Sequence, residues 1–149
     1  MFTALMPNLE DFAGDFRAYN QAVVDEFRDN RGQVTGMFAG APLVLLTTTG
    51  AKSGTRRTTP VVYTRDGDRL VVIASKGGAP THPDWYHNLV AHPEVTVELP
   101  DETYEARAVV PTGEERERLY RAQADLMPNF DEYQQKTSRQ IPVVVLERV

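Results

Sequence analysis

The chain has 149 residues, 41% hydrophobic and 25% charged, enough for one domain with its own core and too few for two. Its formal net charge of −5 excludes a general nucleic-acid-binding role, and no run approaches the roughly 20 apolar residues that span a bilayer. Cysteine is absent, which excludes a disulfide scaffold, a thiolate metal site and a thiol nucleophile, and suits a reducing cytoplasm. No basic region followed by an apolar run opens the chain, so no signal peptide is expected.

Residues 1–30 read as an amphipathic helix. Phe2, Leu5, Leu9, Phe12, Phe16, Tyr19, Val23 and Phe27 recur at three- and four-residue steps. Pro7 and Gly14 weaken the pattern locally, and Asn8 suits a cap after Pro7. The polar face is acidic, which favours a packed or lid helix over a membrane anchor. "PLVLLTTTG" (Pro42–Gly50) reads as a strand leading into a turn. "TPVVYTRDGDRLVVIAS" (Thr59–Ser75) reads as two strands around an Asp66-Gly67 turn.

"HPDWYHNLVAHP" (His82–Pro93) predicts a short helix that Pro93 stops. "EVTVEL" and "YEARAVVP" alternate with period two around Pro100–Thr103, a second hairpin. Residues 112–127 predict a charged amphipathic helix with Thr112 as its cap, and Ile141–Val149 a closing strand. Hairpin-linked strands with few helices predict an α+β fold with an antiparallel sheet. At least six strands in so short a chain must close to cover their edges, so a small barrel with helices packed outside is expected.

Three segments carry candidate chemistry. "TTTGAKSGTRRTTPVVY" concentrates basic and hydroxyl side chains on an acidic chain. It is not a P-loop: Leu46 and Ala51 stand where G-x-x-x-x-G-K-[ST] needs glycine, and a strand follows instead of a helix. A glycine-bracketed turn bearing Lys52, Ser53, Arg56, Arg57, Thr58 and Thr59 suits phosphate or carboxylates, and also suits a solvated loop paired with surface carboxylates. In "ASKGGAPTHPDW", Gly77 and Gly78 allow close backbone approach to a ligand, with Trp85 on the next helix or simply in the core. Phe130 and Tyr133, three apart, form either an aromatic wall over a planar ligand or plain packing on the barrel. His82, His87 and His92 are five apart, which scatters them over a helix, so no metal site is expected. Neither G-x-S-x-G nor G-x-G-x-x-G occurs, which leaves an esterase elbow and a Rossmann dinucleotide site unsupported.

"TTTGAKSGTRRTTPV", "ASKGGAPTHPDWYHNLVAHPEVTVEL" and "YQQKTSRQIPVVVLER", in that order, resemble the deazaflavin-dependent nitroreductase family. These are flavin/deazaflavin oxidoreductases of the split β-barrel fold that use coenzyme F420. The resemblance implies a single domain over 1–149 whose cofactor-binding core is residues 43–149. It implies that Lys52, Ser53, Arg56, Arg57, Thr58 and Thr59 hold the coenzyme's phosphate and polyglutamate tail, and that Pro60 and Val61 line its ring. Ala74, Ser75, Lys76, Gly77 and Gly78 would run beside the deazaflavin, and Trp85, Asn88 and Leu89 would finish the pocket, Asn88 bonding either the loop or the cofactor. Reduced F420 would pass a hydride to a quinone, nitro compound or other small electrophile, with Ser75 and Tyr133 as catalytic residues and Phe130 and Tyr133 facing the acceptor.

At Phe130 the best-known nitroreductase pattern has tyrosine. The missing hydroxyl weighs against bulky nitroimidazoles and leaves quinones at least on a par with nitro compounds. Two alternatives stand beside this reading: a non-catalytic F420-binding protein, and an FMN-dependent member of the same barrel superfamily. FMN has no polyglutamate tail, so the paired arginines favour F420. The implied location is cytoplasmic, with membrane contact only for a lipid quinone, and a homodimer is a fold-level analogy.

Overall fold

The computed structural model describes residues 16–149, the side chains of Phe16 and Met37 excepted. The expected stripe positions Phe2, Leu5, Leu9 and Phe12, and the Asn8 cap, lie outside the described residues.

Helix α1 spans Phe16–Asp29. It ends where Arg31 and Gly32 turn to positive φ (54° and 86°) and the Gly32 amide closes back on the Phe27 carbonyl at 2.8 Å. Six strands follow: β1 (Leu43–Thr49), β2 (Arg56–Asp66), β3 (Arg69–Ile73), β4 (Glu94–Glu98), β5 (Thr103–Val109) and β6 (Val143–Arg148). They form a closed barrel in the order β1-β2-β3-β6-β5-β4, with β4 returning to β1 and every pairing antiparallel. The α+β barrel expected from the hairpin pattern is what the chain forms.

The strands show why some segments are apolar throughout and others alternate. Val44, Leu46, Val61, Leu70, Val72, Val95, Val97, Ala106, Val144 and Leu146 come from all six strands and fill the interior. Leu43, Leu45, Val62, Val71, Ile73, Val143 and Val145 point outward under the helices. So β1, β3 and β6 are buried on both faces and read as unbroken hydrophobic runs. The outward positions of β4 and β5 lack such a cover, and the two strands keep a period of two. Fully burying each Val or Leu contributes about 1.5–3 kcal/mol.

Helix α2 (Asp84–Ala91) sends Trp85 and Leu89 into the interior cluster and so caps one end of the barrel. Helices α1, α3 (Gly113–Leu126) and α4 (Asn129–Gln135) cover the outer core with Val23, Val24, Phe27, Leu119, Tyr120, Ala124, Phe130 and Tyr133.

Three expectations change in detail. Asp66 pairs with Arg69, so the two turn residues are Gly67 and Asp68, one position later than expected; Gly67 takes the positive φ (65°) that the first residue of a type II′ turn requires. Thr112 occupies the cap position of α3, but its side chain makes no capping hydrogen bond. The chain after residue 127 is a separate helix, α4, because Pro128 cannot continue α3 and instead occupies the α4 cap position.

Candidate functional site: a cationic cavity at the barrel end

A cavity of about 460 Å³ opens where α1, the first half of β2, the segment after β3 and the start of α2 converge. That volume suits a cofactor-sized ligand. Arg56, Arg57, Thr58, Thr59, Pro60 and Val61 form one wall in sequence, while Ser75, Lys76, Gly77, Trp85 and Asn88 form the opposite side. Of the sixteen residues expected to bind cofactor, these eleven meet at one site. Lys52, Ser53, Ala74, Gly78 and Leu89 do not line it. Lys52 and Ser53 are exposed at the turn tip, Ala74 and Gly78 are buried behind the wall, and Leu89 lies in the barrel interior.

The two arginines differ from the expectation in place. The turn runs from Gly50 to Thr55, and Arg56 and Arg57 are already on β2, paired with Thr49 and Thr48 of β1. Neighbouring side chains leave a strand in opposite directions, so the two arginines reach the cavity separately and not as one fork. Arg56 reaches across β1, donating from Nη1 to Thr49 Oγ1 (3.0 Å) and from Nη2 to Thr96 Oγ1 (2.6 Å). Arg57 is exposed and makes no hydrogen bond or ion pair among the described residues. Asn88 fixes the turn from below: its Oδ1 accepts from the Ala51 amide at 2.9 Å, and its Nδ2 donates to Thr48 Oγ1 at 3.2 Å.

The segment after β3 is bent sharply. Ser75 is right-handed (φ −77°, ψ −38°), and Lys76, Gly77 and Gly78 follow with φ of 49°, 64° and 83°. A right-handed residue followed by a left-handed one gathers successive N–H groups into a concave nest suited to anionic or carbonyl oxygen. Lys76 holds a conformation that costs about 1–2 kcal/mol for a residue with a Cβ. Arg139 holds the carbonyls of Ala74, Ser75 and Ala79, and donates to Nδ1 of His82 at 2.8 Å.

Sequence reading missed several cavity residues. Arg17, Asn20, Gln21, Val24 and Arg28 come from α1, Thr48 from β1, and Asp84 from the first turn of α2. Arg17, Asn20, Gln21 and Arg28 fall on the polar side of the amphipathic pattern, which spacing alone assigns to solvent, while Val24 is buried in the outer core. Arg28 also pairs with Glu98 through Nε and Nη2 at 3.0–3.3 Å, and that hydrogen bond raises its pKa.

Phe130 and Tyr133 do not line the cavity. They pack edge to face at 5.3 Å in the outer core, 3% and 6% exposed, and Asn129 Nδ2 donates to Tyr133 Oη at 2.9 Å. Tyr120 Oη donates to the Phe130 carbonyl, and its burial pushes its pKa up to about 12. The histidines also differ from helical spacing. His82 precedes α2, and its ring lies 4.8 Å from Tyr86 and 5.6 Å from His87.

Arginine cannot accept, so His82 Nδ1 is the acceptor and the ring is neutral with its proton on Nε2. Burial, then the Arg139 and His87 charges, lower the His82 pKa from 6.5. A depressed folded pKa contributes stability that is complete above about pH 6.5 and is lost as pH falls through the folded value. We therefore expect Tm to fall more steeply in the native protein than in His82→Gln as pH drops from about 6.5 to about 5, followed by scanning calorimetry. Parallel curves would show that His82 does not titrate with folding.

The sequence model of the F420H(2)-dependent quinone reductase family matches residues 19–148. An F420H(2)-dependent quinone reductase of Mycobacterium tuberculosis is 42% identical over 126 residues, covering 82% of this chain and 85% of that protein. The solved structure of an F420-H2 dependent reductase shares 43% identity at a TM-score of 0.66, covering 71% of this chain and 94% of that one. A structure described as a domain-swapped dimer shares 34% identity at a TM-score of 0.68, covering 94% of this chain and all of that one (100%). No helix among the described residues is long and apolar enough to cross a membrane. With the match running from within α1 through β6, the chain belongs to the F420H(2)-dependent quinone reductase family, oxidoreductases whose cofactor is coenzyme F420.

Proposed function

We propose that this protein binds F420H2 in the barrel-end cavity and reduces a quinone there. One observation carries the placement: five cationic side chains (Arg17, Arg28, Arg56, Arg57, Lys76) line the cavity against one carboxylate (Asp84), on a chain of net charge −5. The donor set fits a coenzyme that is anionic along its arm. Guanidinium groups and the hydroxyls of Thr58 and Thr59 suit phosphate and carboxylate oxygen. Pro60, Val61 and Trp85 supply apolar wall for a planar ring, and the Ser75–Gly77 bend supplies N–H groups for its polar edge. When bound, the reduced coenzyme supplies the hydride, and the chain's residues orient the two partners and exclude water. Ser75, 2% exposed on the cavity wall, is the hydroxyl assigned to the acceptor side.

The test mixes purified protein with F420H2 and menadione and follows the returning absorbance of oxidised coenzyme. Turnover above the uncatalysed rate is expected. Tight F420 binding without turnover over a panel of quinones would replace this reading with a non-catalytic binder, and selective retention of FMN would replace the cofactor.

Tyr133 separates the cavity from its support. With its hydroxyl buried on Asn129, Tyr133→Phe is expected to lower stability by about 0.5–1.5 kcal/mol while kcat and F420 affinity hold. A loss of turnover at unchanged Tm would instead put the hydroxyl at the acceptor. A cytoplasmic location belongs to the same reading, with membrane contact only for a lipid quinone. So does a homodimer, which rests on the relative described as a domain-swapped dimer.

A further inference from the structure

We propose that Arg139 is the positioning residue of the F420 site, holding the Ala74–Ala79 segment so that the N–H groups of Ser75 and Lys76 face the cavity. This rests on the F420 reading above. Arg139 does not line the cavity; it lies behind the segment. Its Nε donates to the Ala79 carbonyl (2.9 Å), Nη1 to Ala74 (3.3 Å) and Nη2 to Ser75 (2.7 Å), with His82 Nδ1 as the fourth partner. One planar fork thus joins the end of β3 to the approach to α2, across the bend at Lys76–Gly78.

The consequence follows from peptide geometry. The chain's described peptides are trans, and a trans unit carries its N–H opposite its C=O. Drawing the Ala74 and Ser75 carbonyls onto Arg139 turns the N–H groups of Ser75 and Lys76 the other way. That is the side of the cavity, which Ser75 and Lys76 line and Arg139 does not. The same grip holds Lys76 at its left-handed φ of 49°. Arg139 is itself fixed: its carbonyl accepts from Gln134 Nε2 at 2.8 Å, and Gln134 Oε1 accepts from the Ile141 amide at 3.0 Å. All four side-chain partners are neutral, so the guanidinium charge is not cancelled by a carboxylate. The arrangement serves a fork, and a single ammonium cannot reproduce it.

Arg139→Lys keeps the charge and removes the fork; Arg139→Ala removes both. Three readouts are needed: Tm, the dissociation constant for F420, and amide exchange of Gly78 and Ala79, whose N–H groups bond the Ser75 and Lys76 carbonyls. Both variants are expected to lose F420 affinity at least tenfold, with faster exchange confined to residues 76–79 and the β3 and β6 amides still protected. KM for F420H2 should rise more than kcat falls. Full affinity in Arg139→Lys would show that charge alone matters and would overturn the proposal. So would unfolding of both variants, or exchange that rises equally across the barrel. The exchange readout needs no coenzyme. Failure of the native protein to bind F420 would sink the functional reading, while unchanged exchange in Arg139→Lys would sink this one.

Discussion

Arg57→Ala is expected to weaken F420 binding by about 1.5–3 kcal/mol, roughly ten- to a hundred-and-fiftyfold, with Tm unchanged. Arg57 lines the cavity with its guanidinium exposed and makes no hydrogen bond or ion pair among the described residues, so its removal leaves no buried partner unsatisfied. Arg56 is different. It already bonds Thr49 and Thr96, and Thr96 in turn donates to Glu105 at 2.7 Å. Arg56→Ala therefore loses a tie across β1 as well as a cavity charge and should lower both Tm and affinity. The double variant should weaken F420 binding far more than Tyr133→Phe. Titration of each variant with F420 by calorimetry decides it, and the native affinity should fall with added salt because Arg57 is exposed to screening. Unchanged affinity in Arg57→Ala would remove Arg57 from the anion site, and unchanged affinity in the double variant would remove both arginines of β2.

Gly78→Ala is the second substitution with a large expected effect. Gly78 has φ +83°, and a Cβ there would stand 2.8 Å from the Tyr133 carbonyl, 3.0 Å from Lys136 Cβ and 3.1 Å from Tyr133 Cα. Two of those three neighbours are backbone of α4, which no rotamer change relieves. The left-handed conformation costs about 1–2 kcal/mol, and forced overpacking adds about 1–3 kcal/mol. Thermal unfolding should show a drop of several degrees or more, accompanied by loss of F420 binding, because the displaced segment carries Ser75–Gly77. Gly54→Ala is the matched control: φ is +71°, but nothing lies within 4 Å of the added Cβ. It should lose only the conformational part. Equal Tm shifts at the two positions would mean that α4 yields to Gly78 without cost.

The barrel was legible in the sequence because alternation, hairpin turns and unbroken apolar runs each report how many faces of a strand are covered. Val71 and Val72 belong to different cores, yet both signals are local. The basic, hydroxyl-rich stretch was legible as chemistry, but its geometry was not. Composition shows Arg56 beside Arg57; only the register with Thr49 and Thr48 shows that they lie on a strand and must diverge. Phe130 and Tyr133 mark the limit of spacing, which sets two rings on one side of a helix without saying which side is core. The role of Arg139 is not legible in its motif, since its partners are main-chain carbonyls some 60 positions away and leave no trace in residue types.

The ring of strands has a consequence for how a ligand enters. Each strand has a neighbour on both sides, so no strand can peel away without breaking two ladders at once. The helices have no such ladder. α1 is attached by packing of Val23, Val24, Phe27 and Tyr19, by Glu26 accepting from the Thr35 amide and hydroxyl, and by the Arg28–Glu98 pair, and surface pairs contribute little. The cavity therefore sits on a seam between a laddered frame and a packed cover, and opening is expected among the fluctuations of the cover, which amide exchange of α1 against the strands would read. Traffic in and out can proceed by α1 shifting over β2 while the frame keeps Ser75, Lys76 and the β2 wall in register.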